Sequence, residues 1–150
     1  MLIDVRFDIS VSVMMSPATT KHITAANRDQ WDASARYHEQ SDQWSALKLG
    51  LVEESYLVLD DIVSAGLTSP GVDGAKLVQI GCNNGREILS TFSLGTRRGV
   101  DQSQQFLQQA QTLRAISGHN CQFLCGDIYA LPNDIEGNFD IALITIGVLN

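Results

Sequence analysis

The chain has 150 residues, 44% of them hydrophobic and 18% charged, which is enough apolar material for one domain with a buried core and speaks against disorder. Seventeen acidic against ten basic residues leave a net charge of −7, and Lys and Arg stand singly apart from Arg97-Arg98. No basic stripe is available to track a phosphate backbone, so nucleic acid is not an expected partner.

Cys82, Cys121 and Cys125 are odd in number and lack CxxC or Cys/His spacing, so neither a disulfide framework nor a zinc or other metal site is expected. Free thiols, no apolar run approaching the roughly 18 residues of a spanning helix, and no signal-peptide pattern give the expectation of a cytoplasmic protein without a membrane partner.

Residues 3–13 alternate in strand fashion, with Val5, Phe7, Ile9, Val11 and Val13 on one face. Residues 1–23 are read as an N-terminal extension and 24–75 as a helical lid segment. Within the lid, Thr24 is the expected N-cap of a helix reaching His38, and a second helix is expected from about Gln43 to Ala65. Trp44, Leu47, Leu51, Leu59, Ile62 and Val63 recur along it at mostly three- or four-residue steps.

From residue 76 to 150 the pattern becomes strand, helix, strand, helix, strand, short helix, strand. The expected strands are Lys76–Ile80, Arg98–Asp101, Cys121–Cys125 and Phe139–Ile146, with helices over Gly85–Phe92 and from Ser103 onward. Near-continuous apolar strands alternating with helices imply an α/β fold, a Rossmann-like parallel sheet covered on both faces.

The turn after the first strand, Gly81-Cys82-Asn83-Asn84-Gly85, is small and polar where the chain leaves a strand to start a helix. Such a turn faces a ligand at the carboxyl end of the sheet, and Asn84 with Glu87 has capping-box spacing. Asp101 ends the second strand 20 residues after Gly81, where a carboxylate can accept both hydroxyls of a ribose. Asp127 follows the third strand and can accept from an adenine amine, with Ile128 as an apolar wall. A dinucleotide fingerprint would want glycine where Asn83 stands and glycine or alanine where Arg86 stands, which disfavours an NAD-dependent oxidoreductase.

These segments, with Gly99-Val100-Asp101, Gly126-Asp127-Ile128 and Phe139-Asp140-Ile141-Ala142, resemble the successive motifs of class I S-adenosylmethionine (SAM)-dependent methyltransferases, bacterial small-molecule enzymes above all. Asn27–His38, with Trp31 and Tyr37-His38, is similar to the helix that precedes the core in many of them and folds over the cofactor. The resemblance implies strand order 3-2-1-4, SAM as cofactor and a small-molecule acceptor. It implies a cofactor site of Tyr37, Gly81, Cys82, Asn83, Asp101, Gln102, Asp127, Ile128, Thr145 and Ile146.

Gln79 stands where many members carry an acid, so weaker cofactor binding is expected. Such sheets continue past the fourth strand, so 76–150 reads as a partial SAM-binding domain that binds cofactor with little or no methyl transfer, and a non-catalytic or remnant nucleotide-binding domain is the alternative. The apolar fourth strand would then be an edge, covered by a second copy of the chain or by the alternating strand of residues 3–13, with the dimer preferred. No catalytic residue is assigned; His38 is the best placed for a base, but a solvent-exposed helical histidine is the preferred reading, and Cys82 is expected to fill the turn.

Overall fold

The computed structural model describes residues 17–53, 55–91, 94–131, 133, 135 and 138–144. The expected strand over 3–13 and the positions of Thr145 and Ile146 lie outside the described residues.

Helix α1 runs Pro17–Glu39, a turn and more longer than expected at its start. Proline's fixed φ suits a first helical position, so the helix begins there. Thr24 is thus not an N-cap, and its hydroxyl donates to the Lys21 carbonyl within the helix at 3.1 Å.

The second expected helix is two helices. α2 spans Asp42–Gly50, with the Ser41 side chain capping the Trp44 N–H, and α3 spans Asp61–Leu67, with Asp60 capping the Ile62 and Val63 N–H groups at 2.9 Å. The break follows from Gly50 and Asp60. A Cβ on Gly50 would lie 2.4 Å from the Tyr56 ring, so the glycine lets Tyr56 fold back on the chain, and Asp60 starts a new helix. Trp44, Leu47 and Leu51 are buried, whereas Ile62 is 86% exposed and does not belong to the stripe.

Four parallel strands form one sheet in the order β3-β2-β1-β4: β1 Leu77–Ile80, β2 Arg97–Asp101, β3 Gln122–Cys125 and β4 Ile141–Ile144. This is the expected Rossmann-like order. All four residues of β1 are buried, as a central strand covered on both faces requires. Alternate side chains serve opposite faces: Leu77 joins Ile88, Leu89, Leu113 and Leu143 in one core, while Val78 and Ile80 join Val100 and Ile135 in the other.

Helix α4 is shorter than expected, Arg86–Leu89, because the Ser90 and Thr91 hydroxyls donate to the Glu87 and Ile88 carbonyls at 2.8 and 2.7 Å and compete for those acceptors. Its N-cap is Gly85 at φ 73°, and the Asn84 side chain reaches the Arg86 N–H only at 3.4 Å, so the capping box with Glu87 does not form. Gly85 is also a close approach, since an added Cβ would meet the Phe123 ring at 2.6 Å.

Helix α5, Gln104–Ser117, begins at Ser103 as expected and ends at left-handed Gly118, burying Phe106, Leu107, Ala110 and Leu113. After β3, among the described residues, Asp127 and Ala130 form an antiparallel bridge, and the Asp127 carboxylate accepts the Tyr129 N–H at 3.0 Å. An aspartate bonding the backbone two residues on makes a tight turn that competes with a helical start. Among the described residues no helix is long and apolar enough to cross a membrane.

Candidate functional site

The carboxyl ends of β1, β2 and β3 are neighbours in the sheet, and there the turn after β1 bonds to Asp101. The turn after β1 passes through three left-handed conformations, Gly81 at φ 69°, Asn83 at 51° and Gly85 at 73°. Asparagine is one of the few residues with a side chain that tolerates this region. The turn's amides are occupied. Gly81 and Cys82 donate to the Val100 carbonyl at 2.8 and 3.0 Å, Asn83 to Asp101 Oδ2 at 2.7 Å and Asn84 to Asn83 Oδ1 at 2.7 Å.

Asp101 is half-buried at the end of β2. Its Oδ2 accepts the Asn83 N–H, and its Oδ1 accepts the Ser103 N–H at 2.8 Å. Burial pushes its carboxyl above the ordinary range, against the N–H donations of Ser103, Asn83 and Gln102, which pull it down; the nearby Asp32 charge adds a smaller upward push. A carboxylate has about four acceptor positions, so these N–H bonds still leave acceptor capacity for a ligand hydroxyl. The donor set thus fits an adenosine ribose. The occupied turn amides do not offer the free N–H cradle that a pyrophosphate requires.

Gly126 N–H donates to the Asp101 carbonyl at 2.9 Å and brings the start of the next loop beside β2. Asp127 and Ile128 follow, both half-buried, with Ile128 packed against the core of Val78, Ile80 and Val100. Gln102 is half-buried, and its carbonyl receives the Cys125 thiol at 3.7 Å. Cys82 is 2% exposed, and burial first, then Asp101, pushes its thiol well above the usual value, which suits a side chain filling the turn.

The lid residues separate. Tyr37 is 61% exposed on α1, and its partner is Arg36, which donates to the Tyr37 hydroxyl at 3.0 Å and stacks on its ring. His38 is exposed, with its ring edge-on to Phe106 of α5 at 5.1 Å. A cleft of about 260 Å³ between α1 and α5, walled by Asp32, Arg36 and Gln109, lies beside these helices and not at the strand ends.

Two residues not assigned to the site from the sequence stand close to it. Glu87, on α4, receives the side-chain amide of buried Gln79. Asp32, on α1, accepts from Ser103 and Gln105 at the start of α5. The one signal for Asp32 in the sequence is its spacing of three from Ala35, the buried contact of α1.

The fold is that of the class I methyltransferases. The phosphoethanolamine N-methyltransferase 1 of Haemonchus contortus, solved with phosphoethanolamine and S-adenosylhomocysteine, superposes with a TM-score of 0.58 over 87% of this chain and 26% of its own, at 18% identity. YjhP from E. coli aligns with a TM-score of 0.48 over 68% of this chain and 44% of its own at 16% identity. A protein-L-isoaspartate O-methyltransferase aligns with a TM-score of 0.46 over 80% and 48% at 19% identity. The chain thus spans less than half the length of each of these three proteins. No family model and no curated protein matches the sequence.

Proposed function

We propose that this chain is the cofactor-binding part of a SAM-dependent methyltransferase acting on a small-molecule acceptor in the cytoplasm. The observation that carries the reading is the Asp101 carboxylate, held by backbone N–H groups at the end of β2 with acceptor capacity left over. In this reading Asp101 takes the ribose hydroxyls, with Gln102 beside it, and Asp127 takes the adenine amine against Ile128. The backbone of Gly81, Cys82 and Asn83 lies under the sulfur end.

When bound, SAM supplies an electrophilic methyl group on a sulfonium. What the protein adds to such a reaction is orientation of the two reactants and exclusion of water. The buried floor of Val78, Ile80 and Val100 beneath the strand ends serves the second purpose.

The discriminating experiment is calorimetry with SAM, S-adenosylhomocysteine and NAD. Tighter binding of SAM or its product than of NAD supports the reading, and tighter binding of NAD overturns it. A second copy of the chain along β4 is the proposed partner: β4 is the edge of the described sheet, and Ile144 is 40% exposed there. Light scattering tests it, with a dimer expected and a monomer at high concentration contradicting it.

A further inference from the structure

Asp32 is a half-buried acid on α1, remote in sequence from the strand ends. Its Oδ1 accepts the Ser103 hydroxyl at 2.5 Å and the Gln105 backbone N–H at 3.2 Å. Ser103 is wholly buried, and it uses its other groups at the same time: its N–H donates to Asp101 Oδ1 at 2.8 Å, and its Oγ accepts the Phe106 N–H at 3.2 Å. One serine therefore stands between the carboxylate at the end of β2 and a carboxylate on the helix that covers α5.

The arrangement exceeds what a helix start needs. Ser103 already caps α5 through Phe106, and Asp32 adds a second acceptor at the end of the helix where its dipole favours negative charge. The remaining contacts of α1 repeat the same docking. The Gln109 side-chain amide donates to the Ala35 carbonyl at 2.6 Å, and the rings of Trp31 and His38 stand edge-on to Phe106 at 6.1 and 5.1 Å. Packed rings and a fixed hydrogen bond allow one register of α1 on α5.

The geometry points to Asp32 as a positioning residue of the cofactor site, which through Ser103 orients Asp101 toward a ribose and holds α1 docked in the same act. This rests on the SAM reading above. Binding and docking are then coupled: a ligand that donates to Asp101 tightens α1 on α5, and by reciprocity an α1 that cannot dock weakens the ligand. Asp101 touches the ligand; Asp32 acts only through Ser103.

The test uses the full chain, S-adenosylhomocysteine as probe, calorimetry for affinity and hydrogen exchange for residues 17–39. In the wild type the ligand is expected to slow exchange across α1. Asp32→Ala should abolish that ligand-dependent protection and weaken binding about tenfold, as loss of a charge-assisted hydrogen bond does. Asp32→Asn keeps an acceptor oxygen and should restore binding to within about threefold, a rescue that a general packing defect would not show. Ser103→Ala keeps the N–H to Asp101 and deletes the hydroxyl, so it should remove the protection as well and provides the same test should Asp32→Ala not fold. Wild-type affinity in Asp32→Ala, or α1 exchange indifferent to ligand in the wild type, overturns the coupling and leaves the SAM reading standing. A wild-type chain that does not bind S-adenosylhomocysteine overturns the SAM reading, and the coupling with it.

Discussion

The side-chain amide of Gln79, buried in the middle of the sheet, donates to the carboxylate of Glu87 on the first turn of α4. A glutamine of β1 is thus held by a carboxylate eight residues later in the chain.

Glu87→Ala should therefore destabilise the chain by about 1–2 kcal/mol, because Gln79 cannot reach water to replace the lost acceptor. Urea unfolding measures this as a lower midpoint at unchanged slope. Glu87→Gln should cost less, since it leaves an acceptor oxygen in place, and an unchanged midpoint in Glu87→Ala would contradict the contact.

Asp101 makes the chain pH-sensitive in a definite direction. Its carboxyl is raised, by burial first, so the folded chain holds the proton where the unfolded chain has released it. Its contribution to stability is full below the unfolded value of about 3.9 and is lost as pH rises through the folded value. Donation from a ribose favours the ionised form. Affinity for S-adenosylhomocysteine should accordingly begin to fall on acidification at a higher pH than an unperturbed aspartate would give. Calorimetry across the acid range checks this, and constant affinity down to about 3.9 would contradict it.

The three thiols should divide by exposure. Cys82 and Cys121 are 2% and 1% exposed; burial pushes the first well up and the second to about 12, whereas Cys125 is exposed. The thiolate is the reactive form, so a thiol reagent should modify Cys125 rapidly and the other two only after unfolding. Rapid native modification of Cys82 would show that the turn after β1 opens.

The parallel α/β sheet was legible because continuous apolar strands, alternating with helices, leave few topologies open, and its order followed from the resemblance. The start of α5 was legible for a local reason, Ser103 being a strong N-cap. Helix boundaries that depend on tertiary contact were not. Gly50 looks tolerable inside a helix until Tyr56 packs on it, and Glu87 has capping-box spacing until Gln79 supplies a better partner. Asp32 was hidden for the same reason, its partners Ser103 and Gln105 being 71 and 73 residues away. Tyr37 was chosen from the motif, yet the helix turns it to solvent, because the α5-facing side of α1 is set by Trp31, Asp32, Ala35 and His38.

The most direct measurement is the affinity of the wild-type chain and of Asp101→Ala for S-adenosylhomocysteine, by calorimetry near neutral pH. The expected result is saturable binding by the wild type that Asp101→Ala weakens by more than about 1 kcal/mol, as loss of hydrogen bonds to a charged acceptor requires. Equal affinity in the two chains would contradict the assignment of Asp101 to the ribose.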